Sequence, residues 1–436
     1  MEKQCAEDKF KTVVWYTEDV TLEESLHTQI SALPVIDCHE HTFLPESLPM
    51  PVDLWTVVRN SDLADDLISA GMPATNRQHL HWDNAAPYLP LVRNTGFYCS
   101  LILAFQWLFD FQDSELRADN WESLSTKIVD AKARTDWYTA VLHQLGNIRL
   151  ILRVQGDEAD PFCVDRRYFA PLINFDDWIR ADGPEQREKL ASKAGGQART
   201  LKEYLSALDL AFEQTWAQGA VGVKSMLAYR RSLNYLQPDR TEIEAMFCRR
   251  NLSEREAHTV EDFLIHEVAE RAGRFQLPYQ IHVGYGSWQS NITAGANPLY
   301  LNPLIEAHRN TQFVLLHGGY PFIGEMATLA KNHPNVFLEA GWLAYIAPAA
   351  YRRAMTEWLD SVPINKILAF GADCLHIEQT FGALILTRRL ITKVLAAKIL
   401  EWGWTESLGL ECAARLLSRN ALELYKLPNG SQDNPY

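Results

Sequence analysis

Two histidines one residue apart directly follow a short apolar run, and their spacing suits a metal site. In Asp37-Cys38-His39-Glu40-His41 the two imidazoles come after Leu33-Pro34-Val35-Ile36, which predicts a strand. Residues i and i+2 of a strand share a face, so both rings can reach one cation. Neutral imidazole is a common ligand for zinc and related ions. An isolated His-x-His also fits two buried, hydrogen-bonded histidines, so further ligands decide between these interpretations.

Four later segments repeat the pattern of an apolar strand that ends in a residue with a ligand or ammonium group. These residues are Lys224, His282, His317 and Asp373. Active sites of parallel (β/α)8 barrels lie at the rim formed by the carboxyl ends of the strands. The order His-x-His, Lys, His, His, Asp therefore predicts that distant parts of the chain meet at one site.

This ordered set resembles the amidohydrolase superfamily, and the resemblance extends from about Val35 to about Leu424. It implies a metal-dependent enzyme on a (β/α)8 barrel, with ligands at the ends of strands 1, 4, 5, 6 and 8. On this basis the expected metal ligands are His39, His41, Lys224, His282, His317 and Asp373.

The spacing of the apolar runs independently favours an α/β fold, a (β/α)8 TIM barrel. His282 and His317 lie about 35 residues apart, which suits one strand-helix unit, and His317 and Asp373 are separated by about two units. Runs at 148–154, 169–174 and 335–340 supply the second, third and seventh strands, and helical patterns occupy 202–218, 260–272 and 350–359. We expect a single domain over residues 1–436 that ends in C-terminal helices.

About a hundred residues, 44–147, separate the first two strands and exceed any ordinary loop. Helical periodicity at 52–67 and 98–111 predicts a helical insertion. Because it follows strand 1, it begins on the face that carries the active site, where it would act as a lid. Its aromatic residues either roof the pocket or pack the core of the insertion itself: Trp82, Tyr88, Tyr98, Trp107 and Trp137.

The link after strand 4, at 229–259, predicts a substrate-binding group. Tyr229, Arg230 and Arg231 lie just beyond Lys224, and an arginine at the mouth of the site would hold a substrate carboxylate through two hydrogen bonds. Asn297, in Asn297-Pro298-Leu299, either lines the pocket or starts a helix. The segment 280–325 resembles the amidohydrolase portion of proteins fused to a glutamine-synthetase-like half, within the compact amidohydrolase-related branch.

Such a ligand set implies a divalent cation, with zinc preferred and manganese or iron as alternatives. A metal with an open position lowers the pKa of bound water from about 15.7 towards about 7. Asp373 would then act as ligand and proton shuttle, and His317 or His282 would polarise a carbonyl, which makes these three the catalytic candidates. In the family, a carboxylated lysine bridges two metals. Lys224 would play that part here, or remain an amine beside a single metal.

These features predict an enzyme that cleaves a C–N, amide-type bond of a small substrate bearing a carboxylate. The resemblance allows a γ-glutamyl amide. Sugar-acid isomerases resembling uronate isomerase and metal-dependent decarboxylases use the same ligands, and they form the enzymatic alternative. A barrel that has kept its fold without catalysis is a third hypothesis, although none of the expected ligands is missing.

Composition agrees with a soluble enzyme of the cytoplasm. The 436 residues are 47% hydrophobic and carry a formal net charge of −14, which disfavours nucleic acid as a partner. The sequence contains neither a membrane-length apolar run nor a signal-like start. Seven cysteines without a Cys-x-x-Cys give no disulfide framework. Cys38 and Cys374 adjoin ligand positions and are expected to pack against helices. A homo-oligomer is compatible with the sequence, which defines no interface.

Overall fold

The predicted barrel is confirmed. The structure, a computed structural model, describes residues 22–428 apart from 49, 156–161, 163, 181 and 288–292. Eight parallel strands follow one another in sequence order, each hydrogen-bonded to the next. Backbone hydrogen bonds of 3.0 Å from Cys38 N to Phe370 O and from Asp373 N to His39 O connect the last strand segment to the first. The sheet is thereby closed into a barrel.

The strands are short and almost wholly buried, as expected for strands packed on both faces. They are β1 Val35–Glu40, β2 Ile148–Val154, β3 Phe169–Asn174, β4 Gly222–Ser225, β5 Tyr279–Ile281, β6 Phe313–Leu315, β7 Val336–Glu339 and β8 Ile367–Leu368. β2 and β3 have the predicted bounds. β5, β6 and β8 end earlier than their apolar runs: β5 and β6 end one and two residues before His282 and His317, and β8 ends five residues before Asp373.

Helices surround the barrel and continue beyond its last strand. The first, α1, spans 22–31 and leads into β1. Those between β3 and β8 are α8 Asp176–Ile179, α9 Pro184–Lys193, α10 Leu201–Ala217, α11 Arg240–Phe247, α12 Glu254–Phe275, α13 Asn302–Ala307, α14 Ile323–Asn332, α15 Leu343–Ile346 and α16 Pro348–Ser361. After β8 follow α17 Ile377–Trp402, α18 Glu406–Ala414, a π-helical segment Arg415–Arg419 and α19 Asn420–Leu424. The predicted C-terminal helices are therefore present.

Two apolar layers hold the barrel together. The larger joins the outward faces of the strands to the surrounding helices. The smaller lies inside the barrel and consists of strand residues, among them Ile36, Cys38 and Leu172, closed by Leu424 and Tyr425 at the end of α19. The expectation that Cys38 packs against the helices is wrong, because Cys38 follows Ile36 by two residues on β1 and shares its inward face. Its side chain lies with the interior residues.

The region between β1 and β2 is helical, as predicted. It contains α2 Leu54–Arg59, α3 Leu63–Ser69, α4 Trp82–Ala85, α5 Leu89–Val92, α6 Gly96–Phe109, α7 Trp121–Lys132 and a π-helical segment Thr139–Leu145. We call residues 44–147 the insertion. Its helix α6 lies against α17 so closely that a Cβ on Gly382 would stand 2.1 Å from the carbonyl oxygen of Ser100. The insertion is thus packed onto the barrel rather than tethered beside it.

A buried ion pair also fastens the insertion to the barrel. Lys132 Nζ, at the end of α7, lies 2.8 Å from Glu378 Oε2 in the first turn of α17, and neither side chain reaches solvent. Trp137 Nε1 donates to the other carboxylate oxygen at 2.6 Å. Burial alone would raise the pKa of Glu378, but the neighbouring ammonium of Lys132 holds that pKa below its usual value. The pair connects the insertion to the helix that follows Asp373.

The described part of the chain has no helix with the length and apolarity needed to traverse a bilayer.

Candidate metal centre

Residues from five strand ends meet at one rim of the barrel, as the order of potential ligands predicts. Asp373 lies at the centre of the group. Its Oδ1 is 3.4 Å from His39 Nε2 and 3.3 Å from His41 Nε2, while its Oδ2 is 3.6 Å from His317 Nε2. The rings of His282 and His317 are 4.6 Å apart between centroids. Side chains separated by more than 300 residues therefore share one site.

The ring of His39 is oriented by Gln280, one layer deeper in the barrel. Gln280 Nε2 donates to Cys38 O and to Tyr425 Oη, both at 2.7 Å, which fixes the orientation of the amide. Its Oε1 therefore faces His39 Nδ1 at 2.7 Å and accepts the proton of that nitrogen. As a result, Nε2 of His39 presents its lone pair to the centre of the site. Second partners of this kind commonly fix the tautomer of metal-binding histidines.

His282 and His317 are held differently. His282 Nε2 lies 3.0 Å from Tyr285 O, and because a carbonyl only accepts, that nitrogen carries the proton and Nδ1 keeps its lone pair. His317 is buried, and within the described chain neither of its ring nitrogens has a hydrogen-bond partner. Buried polar groups without partners are uncommon in native structures and often indicate an ion or water.

Three buried carboxylates brace the backbone that carries the ligands. Asp37 Oδ1 accepts from the amides of His39 and Ala372 at 3.2 Å. Glu40 Oε1 accepts from His41 N at 2.9 Å and also from Cys374 N, and Glu339 Oε2 accepts from His317 N at 3.0 Å. These contacts tie β1 and β7 to the residues beside the ligands. The carboxylates act on the ligands through the main chain.

Two of the ligand residues adopt left-handed backbone conformations. His317 has φ 62° and Asp373 has φ 52°. Such conformations cost about 1–3 kcal/mol for residues other than glycine and persist where the surroundings impose them. Here the amide of His317 is held by Glu339, and the amide of Asp373 by the carbonyl of His39. Both turns direct a side chain into the same cavity.

The histidines are neutral at physiological pH, which is the form that binds metals. Burial lowers the pKa of His41 and of His282 to about 3, and it also lowers the pKa values of His39 and His317. Burial alone would raise the pKa of Asp373, but the imidazoles around it hold that pKa well below its usual range. The site thus combines neutral nitrogen ligands with one ionised carboxylate.

Lys224 is fully buried within this group. Its Nζ lies 3.3 Å from His39 Nε2, and burial lowers the pKa of the ammonium to about 8. The carboxylates of Asp373, Asp176 and Glu339 partly oppose this shift. The amine of Lys224 thus lies among the histidines and Asp373 on the wall of the same cavity.

The donor set fits a divalent cation. His39, His317 and Asp373 each offer one ligand atom, and these atoms lie within 4.8 Å of one another. The unpartnered nitrogens of His317 give the same indication. Imidazole and carboxylate together suit zinc and its neighbours in the first transition series. His41, His282 and Lys224 surround this core on the wall of the same cavity.

The ligands open into a cavity of about 230 Å³ between the barrel rim and the insertion. Residues of the insertion form one side of it: Asn60, Ser61, Asp62, Arg77, Phe97, Ser100 and Leu101. The aromatic residues considered for the roof lie elsewhere. Trp82 stacks on Trp121, Trp107 is 63% exposed, and Trp137 binds Glu378. Apart from Trp107, which is largely exposed, these residues pack within the insertion or between it and the barrel.

The four expected substrate-binding residues are distributed differently. Tyr229 lines the cavity, with its ring 4.5 Å from that of His282. Arg230 lies outside the cavity. Arg231 is turned away, because its guanidinium donates to Glu261 at 2.8 Å and to Asp262 at 2.5 Å. Asn297 caps a short helical turn by accepting from Leu299 N at 3.0 Å.

Several cavity residues were not singled out in the sequence. Trp342, after β7, places its ring 5.1 Å from that of His317, and its Nε1 donates to Asp62 Oδ2 at 3.1 Å. Burial, reinforced by the charges of Asp373 and Asp65, raises the pKa of Asp62 to about 7. Arg77 pairs with Asp65 beside it. Cys374, which was expected to pack against helices, belongs to the outer core and also lines the cavity, with its thiol 3.1 Å from Tyr345 Oη.

Comparison with known proteins agrees with this geometry. Residues 214–427 match the family model described as amidohydrolase. Protein fluG of Emericella nidulans is 28% identical over 223 residues, which are 48% of this chain and 26% of that protein. The match thus spans about a quarter of the length of that relative. With the barrel and the ordered set of potential ligands, these findings place residues 214–427 in the amidohydrolase family.

Solved structures share the whole architecture. Uronate isomerase from Thermotoga maritima superposes with a TM-score of 0.78 at 15% identity, covering 93% of this chain and 97% of that one. Glucuronate isomerase from Caulobacter crescentus gives 0.75 at 18% identity, with 95% of each chain covered. A protein described as a metal-dependent hydrolase from Lactobacillus casei superposes with a TM-score of 0.64 at 18% identity. The match covers 92% of this chain and 97% of that one. At such identities the likeness establishes a fold and not a reaction.

Proposed function

We propose that this protein is a metal-dependent hydrolase that cleaves a C–N bond of a small amide-type substrate. The observation that carries the proposal is the convergence of His39, His41, His282 and His317 on Asp373 at the wall of one cavity. Membership of the amidohydrolase superfamily supports the same conclusion. A divalent cation bound there, with zinc preferred, would supply a water ionised near neutral pH and an electrophile for the carbonyl oxygen.

Each residue of the site has a part in such a reaction. The carboxylate of Asp373 accepts a proton from the attacking water and returns it to the leaving nitrogen, because it is ionised and faces the cavity. In a one-metal site His317, which is then free of the metal, would donate to the developing oxyanion. Gln280 keeps the Nε2 lone pair of His39 directed at the site. Tyr229 and Trp342 flank the histidines and narrow the space around the scissile bond.

The position of Lys224 favours a site with two metals. Its amine is buried among the ligands, where an ammonium would be repelled by a cation, whereas a carbamate would attract one. On this arrangement His39, His41 and Asp373 would hold one ion, His282 and His317 would hold the other, and carboxylated Lys224 would be shared between them. A single metal held by His39, His41, His282 and Asp373 would leave Lys224 as an amine.

Oxygen-18 incorporation tests the reaction class. Metal-loaded protein is incubated in H₂¹⁸O with a panel of N-acyl and γ-glutamyl amino acids, amidines and uronates, and the products are analysed by mass spectrometry. We expect one ¹⁸O in the new carboxylate and no turnover by Asp373→Asn, which keeps the shape of the side chain but loses the proton acceptor. The exposed Asp83→Asn change serves as a control. If the protein interconverts uronates and no hydrolysis product carries ¹⁸O, the hydrolase proposal is rejected in favour of an isomerase.

Elemental analysis tests the number of metals. Protein grown without chelator should contain about two divalent ions per chain, and Lys224→Ala should lower this ratio. In parallel, ¹³C NMR after growth in ¹³C-bicarbonate should show a carbamate carbon that the variant lacks. A ratio near one that survives Lys224→Ala, without a carbamate signal, would reject the bridged site. Protein that binds no metal and matches its His39→Ala form would instead favour a non-catalytic barrel.

A further inference from the structure

The insertion contributes a second group of charged residues to the cavity. Asp62 and Arg77 line it together with the metal ligands. Asp62 Oδ2 accepts from the indole nitrogen of Trp342 at 3.1 Å, and the indole ring stands edge-on to His317 with 5.1 Å between centroids. Asp62 is therefore separated from the metal ligands by about one indole ring. A substrate whose reactive bond lies at the ligands would reach Asp62 with its other end.

Arg77 is held in place through only part of its hydrogen-bonding capacity. Its Nη1 donates to Asp65 Oδ1, which fixes the guanidinium at the cavity wall. Within the described part of the chain, Nη2 and Nε of Arg77 have no acceptor, and the side chain is 27% exposed. A guanidinium presents its donors in a planar fork that matches a carboxylate. The remaining edge of Arg77 is thus available to a ligand.

The balance of charges in this part of the cavity selects the kind of ligand. Asp62 and Asp65 offer two carboxyl groups and Arg77 a single guanidinium, so acidic groups exceed basic ones by one in this part of the cavity. A ligand that brought only a carboxylate would increase this excess in a partly buried place. A ligand that brought an ammonium beside the carboxylate would pair with both Asp62 and Arg77 and leave the excess unchanged.

We propose that Asp62 and Arg77 bind the ammonium and the carboxylate of an amino-acid head group. Phe97 and Leu101, which line the same side of the cavity, pack along the carbon chain of the ligand. The amide to be cleaved then lies on the side chain of the amino acid, towards Asp373. This inference deepens the proposed function and rests on it for the position of the scissile bond. It assigns specificity to the insertion and replaces Arg230 and Arg231 as the expected carboxylate-binding residues.

Binding measurements test the head group separately from catalysis. Isothermal titration calorimetry with metal-loaded protein first compares L-asparagine, L-glutamine and Nε-acetyl-L-lysine. The tightest binder is then compared with its Nα-acetyl derivative and its α-carboxamide. Because hydrogen bonds to charged groups contribute about 1.5–3 kcal/mol, each blocked compound should bind at least about tenfold more weakly. If no amino acid of the panel binds, or if the blocked compounds bind equally well, the inference is wrong.

Variants assign the two contacts. Asp62→Asn retains an acceptor for Trp342 and should remove the preference for a free ammonium over an acetylated one. Arg77→Gln should remove the preference for a carboxylate over a carboxamide, and Arg77→Lys should restore part of it. Arg93→Gln is the matched control, because Arg93 belongs to the same insertion and pairs with Glu115 away from the cavity. If the Asp62 and Arg77 variants reduce the affinity for free and blocked ligands equally, and by no more than Arg93→Gln does, the assignment is contradicted.

The outcomes for binding and for hydrolysis can be told apart. Selective binding that depends on Asp62 and Arg77, without ¹⁸O incorporation into any product, would keep the head-group site and reject the hydrolase. Amide hydrolysis that is indifferent to both substitutions would keep the hydrolase and reject the head-group site.

Discussion

Breaking the ion pair between Lys132 and Glu378 should destabilise the protein strongly. At 2.8 Å, and with an effective dielectric constant of about 20, the attraction between the two charges is about 6 kcal/mol. Lys132→Met removes this attraction together with the cost of burying the ammonium. It leaves the carboxylate of Glu378 buried with Trp137 Nε1 as its donor. We therefore expect the free energy of unfolding to fall by about 3–5 kcal/mol.

The measurement is urea unfolding followed by circular dichroism and tryptophan fluorescence at fixed metal concentration. The double variant Lys132→Met, Glu378→Gln is the decisive comparison, because a neutral amide still accepts from Trp137. Its stability should return to within about 1.5 kcal/mol of the parent. A loss below about 1 kcal/mol for Lys132→Met, or a double variant no more stable than the single one, would refute this account of the pair.

The dependence on pH has a definite sign. In the parent, Lys132 holds the pKa of Glu378 below its usual value of 4.5, so the stability contributed by the pair is complete above that pH and is lost as pH falls. In Lys132→Met, burial raises the same pKa, and stability is lost as pH rises through it. The deficit of the variant should therefore shrink between pH 8 and pH 5. His376 stays neutral over this range, since burial lowers its pKa to about 3.

Three further substitutions test other contacts. Gln280→Leu removes the acceptor of His39 Nδ1 and should weaken metal binding about 10- to 100-fold in a chelator competition, whereas an unchanged affinity would deny Gln280 its orienting role. Gly382→Ala places a Cβ 2.1 Å from Ser100 O and should lower the free energy of unfolding by about 1–3 kcal/mol. Gly324→Ala is the control and should be tolerated, because no atom lies within 4 Å of its Cβ. Equal losses of stability in the two variants would contradict the packing argument. Arg231→Met leaves the buried carboxylates of Glu261 and Asp262 without their cation and should lower the melting temperature without changing KM. A raised KM at an unchanged melting temperature would instead return Arg231 to the substrate site.

The barrel and the residues that meet at its rim were predictable from sequence for a physical reason. Strands buried on both faces require continuous apolar runs, and a polar residue that ends such a run stands out. His282, His317 and Asp373 are recognisable in this way, and β2 and β3 have the expected bounds. The strands that carry those ligands were predicted too long, because the apolar pattern continues into turns that leave the sheet. In those turns the residues are apolar because they are buried, although they no longer pair as strands.

Residues whose roles depend on contacts between distant elements could not be found in this way. Asp62 and Arg77 belong to a polar stretch of the insertion, and only the packing of that region onto the barrel brings them to the cavity. The opposite error occurred at Arg231, where proximity to Lys224 in the chain suggested a substrate contact. Glu339 did give a signal, since a charged residue closes the apolar run of β7, and its function as a brace for His317 N required the structure.

The hydrogen bonds from Tyr425 through Gln280 to His39 connect the floor of the barrel to the candidate metal centre. Shortening the chain before residue 425 would expose the barrel interior and would also free the Gln280 amide that sets the tautomer of His39. Trimmed or tagged versions of this protein should therefore be checked for cation affinity as well as for yield, because a well-folded truncation can still be a poor metalloprotein.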